Sequence, residues 1–210
     1  MAITTYSELQ TAVGNWLNRT DLSSRIPEFI ALAESRLNRR LRLRVMEDDE
    51  TLTGVVGSRT IAVPSGYVAP ISFFIVRTTG REPLTFVRSR METYTAQSEP
   101  RYWTIDNTNI AFERPCDSAY SFLFKMYLGF ALTNSVTTNW LLTNHPDAYL
   151  YASVAEGFKY LRNDNATSDF EALTDRAIKE IQDKENQSRD SALRTDVPRQ
   201  FRTFNVISGY

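Results

Sequence analysis

The apolar residues of this chain change their spacing twice. Up to about residue 43 they recur at the three-to-four-residue interval of a helix. From about 51 to 130 they fall in short β-branched and aromatic runs broken by glycine and proline, and from about 146 the helical interval returns. The fold must therefore combine helices from both ends of the chain with strands from its middle. Of the 210 residues, 42% are apolar and 12% aromatic, enough to build a core.

In the first stretch, Thr5 and Glu8 have the spacing of a capping box, and Leu9, Val13, Trp16 and Leu17 follow at helical intervals. After "NRTDLSS", Ile26, Phe29, Ile30, Ala33, Leu37 and Leu41 make one face of a second helix over about 25–43, with Pro27 tolerable only in its first turn. The other face carries Arg36, Arg39, Arg40, Arg42 and Arg44, which a helix C-terminus favours through its dipole. In the middle, "TLTG", "RTIAV", "ISFFIVR", "PLTFV", "YWTID", "NIAFE" and "YSFLFKMYLGF", with "PSGY" and "DNTN" turns, read as a small antiparallel sandwich or barrel. "VGSR" and "TTGR" read as hairpin tips, and "SRMETYTA" as a brief helical turn pairing Met91 with Tyr94.

The helix starting at Pro146 is apolar on more than one side: Leu150, Val154, Phe158 and Leu161 form a stripe that Tyr149, Ala152, Ala155 and Tyr160 broaden. A more exposed helix follows, with Ser168 and Glu171 spaced as a capping box and Phe170, Leu173, Ala177, Ile178 and Ile181 as its apolar stripe. From Ser188 the pattern stops. Arginines there outnumber aspartates and alternate with Val197, Phe201, Phe204, Val206, Ile207 and Tyr210, a composition suited to an arm that orders on a partner.

A search for chemistry returns little. His145, the one histidine, would have to be the base of any Ser-His or Cys-His catalyst, yet it precedes Pro146, and Asn144 with Asp147 has the spacing of a helix cap. "EDDE" at 47–50 is the densest acidic run, and side chains on an extended segment alternate faces and converge poorly on a metal. Cys116 alone can form neither an intrachain disulfide nor a cysteine zinc site, which suits a reducing compartment. No cofactor motif is present, no window resembles a membrane span, and the N-terminus lacks a leader pattern, so the expectation is a soluble protein made inside the cell. A net charge of −1 argues against bulk coating of nucleic acid. Two rival readings remain: a nucleic-acid-binding module centred on Arg36–Arg44, and a small enzyme using His145 with Asp147.

Four stretches carry a family likeness: "TYSELQTAVGNWLNRTDLSSRIPEFIALAESRLNRRLRLRVME", "RTIAVPSGYVAPISF", "NWLLTNHPDAYLYASVAEGFKYLRND" and the tail after the last helix. In that order, over essentially the whole chain, the sequence resembles the head-to-tail adaptor (connector) proteins of tailed bacteriophages, which bind beneath the portal ring. The resemblance implies an α+β fold: a bundle built from N-terminal helices (1–50) and C-terminal helices (131–187), a central antiparallel β insertion (51–130) facing the neighbouring tail component, and an extended C-terminal arm (188–210). It implies a homo-oligomeric ring of about twelve copies at the head–tail junction of the virion, a structural role, and no catalytic, metal or cofactor residue. Expected partners are the phage portal protein, a downstream tail, nozzle or tail-terminator protein, and genomic DNA passing through the channel without sequence-specific contact. Arg194, Arg199, Phe201, Arg202, Phe204 and Tyr210 would belong to the portal-docking arm. Arg36, Arg39, Arg40, Arg42 and Arg44 would face ring neighbours or the channel.

Overall fold

The computed structural model describes residues 3–88 and 91–193. Within them the chain forms α1 (Tyr6–Leu17), α2 (Ile26–Arg40), a one-turn 3-10 helix (Arg44–Met46), eight strands, and then α3 (Trp140–Asn144), α4 (Pro146–Tyr160) and α5 (Asp164–Leu193). The strands are β1 (Glu47–Thr53), β2 (Thr60–Ala62), β3 (Tyr67–Arg77), β4 (Gly80–Pro83), β5 (Thr85–Phe86), β6 (Tyr102–Asp106), β7 (Asn109–Phe112) and β8 (Ser121–Leu128). The fold is α+β, with helices at both ends flanking a central β region.

The capping box of α1 forms as expected: the Thr5 hydroxyl accepts from the Glu8 amide, and the Glu8 carboxylate accepts from the Thr5 amide. Helix α2 starts with Pro27 in its first turn and stops at Arg40, a few residues short of the expected end. Leu41 turns extended, so that Leu41 and Leu43, two positions apart, both drop into the core. Packing of these leucines outweighs continuation of the helical period.

Helix α4 is enclosed by α1, α2, α3 and α5, and Ala148, Tyr149, Leu150, Ala152, Val154 and Ala155 are all buried. Its broad apolar surface therefore has a partner on nearly every side. Gly157 allows the closest approach, since a Cβ there would lie 2.7 Å from a Leu17 methyl. Helix α5 starts four residues before the expected capping box. The Asn163 side chain accepts from the Ala166 amide, while Ser168 lies inside the helix, which runs on to Leu193.

The β region is a sandwich of two four-stranded sheets, ordered β1-β8-β3-β4 and β2-β7-β6-β5. The pairings are antiparallel except β5 with β6. Aromatic rings fill the space between the sheets: Phe73 of one meets Trp103 of the other at 5.2 Å, and Phe122 meets Phe112 at 5.2 Å. Cys116 is buried in this core.

Turn chemistry holds in part. Asn107, in left-handed backbone (φ 56°), sits in the "DNTN" hairpin between β6 and β7, and "TTGR" closes β3 onto β4 with Arg77 opposite Gly80. "VGSR" is not a hairpin tip, because β1 and β2 lie in different sheets and Gly57 turns the chain from one to the other. The expected helical turn over 89–96 is likewise absent from its described part, 91–96. Tertiary bonding takes that segment instead: the Tyr94 amide donates to the Glu113 carbonyl, and the Arg114 guanidinium sits 4.5 Å over the Tyr94 ring.

Bundle and sandwich have separate cores. They meet where the Asn38 side chain on α2 bonds both ways to the backbone of Phe130, just beyond β8. The Asn38 amide donates to the Phe130 carbonyl at 2.9 Å and its carbonyl accepts the Phe130 N–H at 2.9 Å. Substituting Asn38→Ala leaves both backbone groups without that partner, and is expected to lower unfolding free energy by about 1–3 kcal/mol. Asn38→Asp, which keeps only the acceptor, should lie between the two in urea denaturation.

Candidate functional site

The five arginines expected to form one surface are divided among different tasks. Arg36, its side chain 17% exposed, reaches Asp175 at 3.3 Å, Glu171 at 3.4 Å and Glu156 at 3.9 Å. Arg40 pairs with the same Asp175, and Arg44 pairs with Glu185 at 3.1 Å. The spacing 36, 40, 44 places one guanidinium per turn or its extended equivalent along α5, and the Gln182 amide adds a bond to the Arg40 carbonyl. Arg42 turns the other way, donating to the Asn38 carbonyl at 2.7 Å and lying over the Tyr127 ring. Arg39 is exposed and bonds Ser35 of its own helix.

The α5 acids were visible in sequence only as decoration of an exposed helix. Glu171 and Asp175 repeat the four-residue interval of Arg36 and Arg40, the one signal that could have paired them. Lys159 and, behind it, Arg36 hold the Glu171 carboxyl below the usual carboxylate range. The positive charge that suggested a nucleic-acid surface is largely met within the chain.

His145 links two helices. Its N–H closes α3 on the Leu141 carbonyl at 2.8 Å, and its own carbonyl accepts from Ala148 in the first turn of α4. Asn144 is not the cap that the sequence suggested, since it ends α3 and donates to the Trp140 carbonyl. Asn139 does the capping, for α3, by accepting from the Leu142 amide at 2.9 Å. The imidazole packs on Trp140, and burial holds its pKa down against the opposing pull of Asp147. The thiol of Cys116 lies in the other core, so histidine and cysteine are not brought together.

A polar network that sequence reasoning missed ties these elements to α2. The Asn139 amide donates to the Tyr149 hydroxyl at 2.9 Å, and that hydroxyl donates to the Glu34 carboxylate at 3.2 Å. Nothing local marks it, because Glu34 and Tyr149 stand 115 residues apart. Burial pushes the Glu34 carboxyl up to about 7, and drives the Tyr149 phenol up as well.

The acidic run 47–50 lies in β1, the outermost strand of its sheet among the described residues, where Asp49 pairs with Lys125 at 3.3 Å. A cleft of about 560 Å³ on the sandwich is lined by Tyr94, Glu99, Arg101, Tyr102, Glu113 and Arg114. Its buried acid, Glu113, is occupied by the N–H groups of Arg101 and Tyr102, which gives it a structural task. Among the described residues no group of three or more His, Cys, Asp or Glu side chains could hold a metal, and no helix is long and apolar enough to cross a membrane. Arg194, Arg199, Phe201, Arg202, Phe204 and Tyr210 lie outside the described residues.

Compared with known protein families, residues 4–199 match the SU10 adaptor protein family. The chain belongs to that family. None of the curated proteins matches it. The adaptor is thus a structural protein of the tailed-phage head-to-tail adaptor type, and the match spans the bundle helices, the whole sandwich and the start of the expected arm.

The Glu34 network makes adaptor stability depend on pH. An unfolded Glu34 loses its proton near 4.5, whereas the folded one keeps it to about 7, so folding takes up a proton between those values. The stability contribution from this group is therefore expected to fall as pH rises from about 4.5 to 7 and to stay low above. Glu34→Gln should flatten that decline and raise unfolding free energy at pH 8 by about 1–2 kcal/mol, read by urea denaturation across the pH range.

Proposed function

We propose that the adaptor assembles as a ring of about twelve copies between the portal and the tail, where it extends the DNA channel and offers the platform on which the next tail or nozzle component sits. The observation that carries this reading is the family match over residues 4–199, from the first helix into the arm. In this reading the bundle helices of 1–50 and 131–187 form the ring body, and the 51–130 insertion meets the tail component. The 188–210 segment begins with the last turns of α5, and its remaining residues, with Arg194, Arg199, Phe201, Arg202, Phe204 and Tyr210, dock on the portal.

The electrostatics support a conduit. DNA held by many unpaired cations would be released only against counterion return, which opposes sliding. Here Arg36, Arg40 and Arg44 are matched by Glu171, Asp175 and Glu185, leaving exposed Arg39 as the member of the cluster that we assign to a contact between ring neighbours. Ring formation by many weak arm contacts would then gain from avidity.

Truncation after Leu193 removes the arm and leaves every bundle core residue found among the described residues, the last of which is Ile181. The truncated protein is expected to keep its helical circular dichroism and its unfolding midpoint but no longer to co-sediment with portal rings. Retained co-sedimentation would overturn the role of the arm. In a separate measurement, the monomer should bind duplex DNA weakly at moderate salt; tight binding with a steep salt dependence would instead favour a nucleic-acid-binding module.

A further inference from the structure

Around α4 each neighbouring helix takes its own side. Gly157 faces Leu17 of α1, Tyr149 bonds Glu34 of α2, and Lys159 pairs with Glu171 of α5. Tyr151 lies about 200° round the helix from Tyr149, on the side away from α2. There its ring meets Trp16 of α1 at 5.9 Å and Phe170 of α5 at 6.4 Å, and Trp16 meets Phe170 at 5.8 Å. This aromatic seam links α1 to α5. It stands partly in solvent, since Trp16 is 49% exposed and Leu173, one turn beyond Phe170, is 38% exposed. Asp169, beside Phe170, is exposed too and forms no ion pair among the described residues.

Helix α2 buries Ile26, Phe29, Ile30, Ala33 and Leu37. The line opposite, Glu28, Leu32, Ser35 and Arg39, recurs at helical intervals and is exposed. Leu32 is its apolar member, 56% exposed. Arg39 bonds Ser35 and, unlike Arg36, Arg40 and Arg44, forms no ion pair among the described residues. Glu28 is already neutralised by Arg25 at 3.0 Å. One side of the bundle therefore presents a leucine and a free cation, and the side across α4 presents an aromatic seam and a free acid. These faces cannot meet within one molecule, because α4 lies between them. They match in spacing as well as charge: Leu32 to Arg39 rises about 10 Å, so a leucine seated on the seam leaves the guanidinium within reach of the acid beside it.

We infer that these two faces bind each other between copies of the chain: Leu32 of one copy packs on Trp16, Phe170 and Leu173 of the next, and Arg39 meets that copy's Asp169. The contact is heterologous. Each copy offers one face to each neighbour, so the contact propagates round a ring instead of stopping at a pair. A tryptophan flanked by other aromatics is the kind of anchor on which interface energy concentrates, and the Arg39–Asp169 pair fixes the register. That the chain forms a ring at all rests on the function proposed above; which faces meet is the further step.

Full-length R39C and D169C variants, mixed with portal rings present and treated with a short bismaleimide, test the contact; Cys116 is buried, and the unsubstituted chain gives the background. The mixture is expected to yield at least about ten-fold more covalent dimer than either variant alone, and the R39C/D169C double variant to yield a ladder of dimers, trimers and larger species. Adding Leu32→Asp to the double variant should cut that ladder at least five-fold with helical circular dichroism unchanged. Equal yields from the mixture and the single variants overturn the contact, as does a ladder indifferent to Leu32→Asp. Negative-stain electron microscopy of the same samples separates two failures. Adaptor rings without the ladder overturn these faces and leave the ring reading standing, whereas absence of both overturns the ring as well.

Discussion

A helix such as α4, apolar on nearly every side, can be buried in a chain of this size only if helices from both ends pack around it, α1 and α2 from one end and α5 from the other. That requirement closes the chain on itself. The intervening residues must leave the bundle and return at nearly the same point, and the first pair of the β1–β8 ladder, Glu47 with Tyr127, marks where they do. The sandwich then builds its own aromatic core outward from this closure. Two cores in one chain follow from a single buried helix.

The bundle and the sandwich are joined by polar contacts at their shared border. Asn38 satisfies the backbone of Phe130, Arg42 lies over Tyr127, and Gly129 admits the Asn38 side chain at 3.1 Å from where a Cβ would stand. Directional hydrogen bonds set an angle between two bodies more sharply than apolar contact does. The arginine ladder works similarly on the other side, tying α5 to α2 through half-buried ion pairs and setting where the chain leaves the bundle.

Features governed by neighbours in sequence were readable without the structure. The Thr5–Glu8 box, the "DNTN" hairpin turn and the surface of α4, apolar on more than one side, depend on residues within a few positions, and each was found where expected. Reading failed where a local template was met but a distant group outbid it. Ser168 and Glu171 have the spacing of a cap, yet Lys159 and Arg36 take Glu171 and leave the capping to Asn163. Met91 and Tyr94 have the spacing of a helical turn, yet Glu113, just past β7, and Arg114 take Tyr94. At His145 the helix boundary was right and its cap was wrong, because the stretch before it forms a helix of its own with Asn139 as cap.

By itself the sequence determined the α+β class, the order of helices and strands, and a texture that resembles phage adaptors, because hydrophobic spacing and turn residues act over short distances along the chain. Tertiary structure alone decided what the charges do. Arg36 meets Asp175 across 139 positions and Glu34 meets Tyr149 across 115, so whether an arginine stands on a free surface or inside an ion pair, and whether a carboxyl titrates near 4.5 or near 7, depends on which distant side chain packing brings beside it.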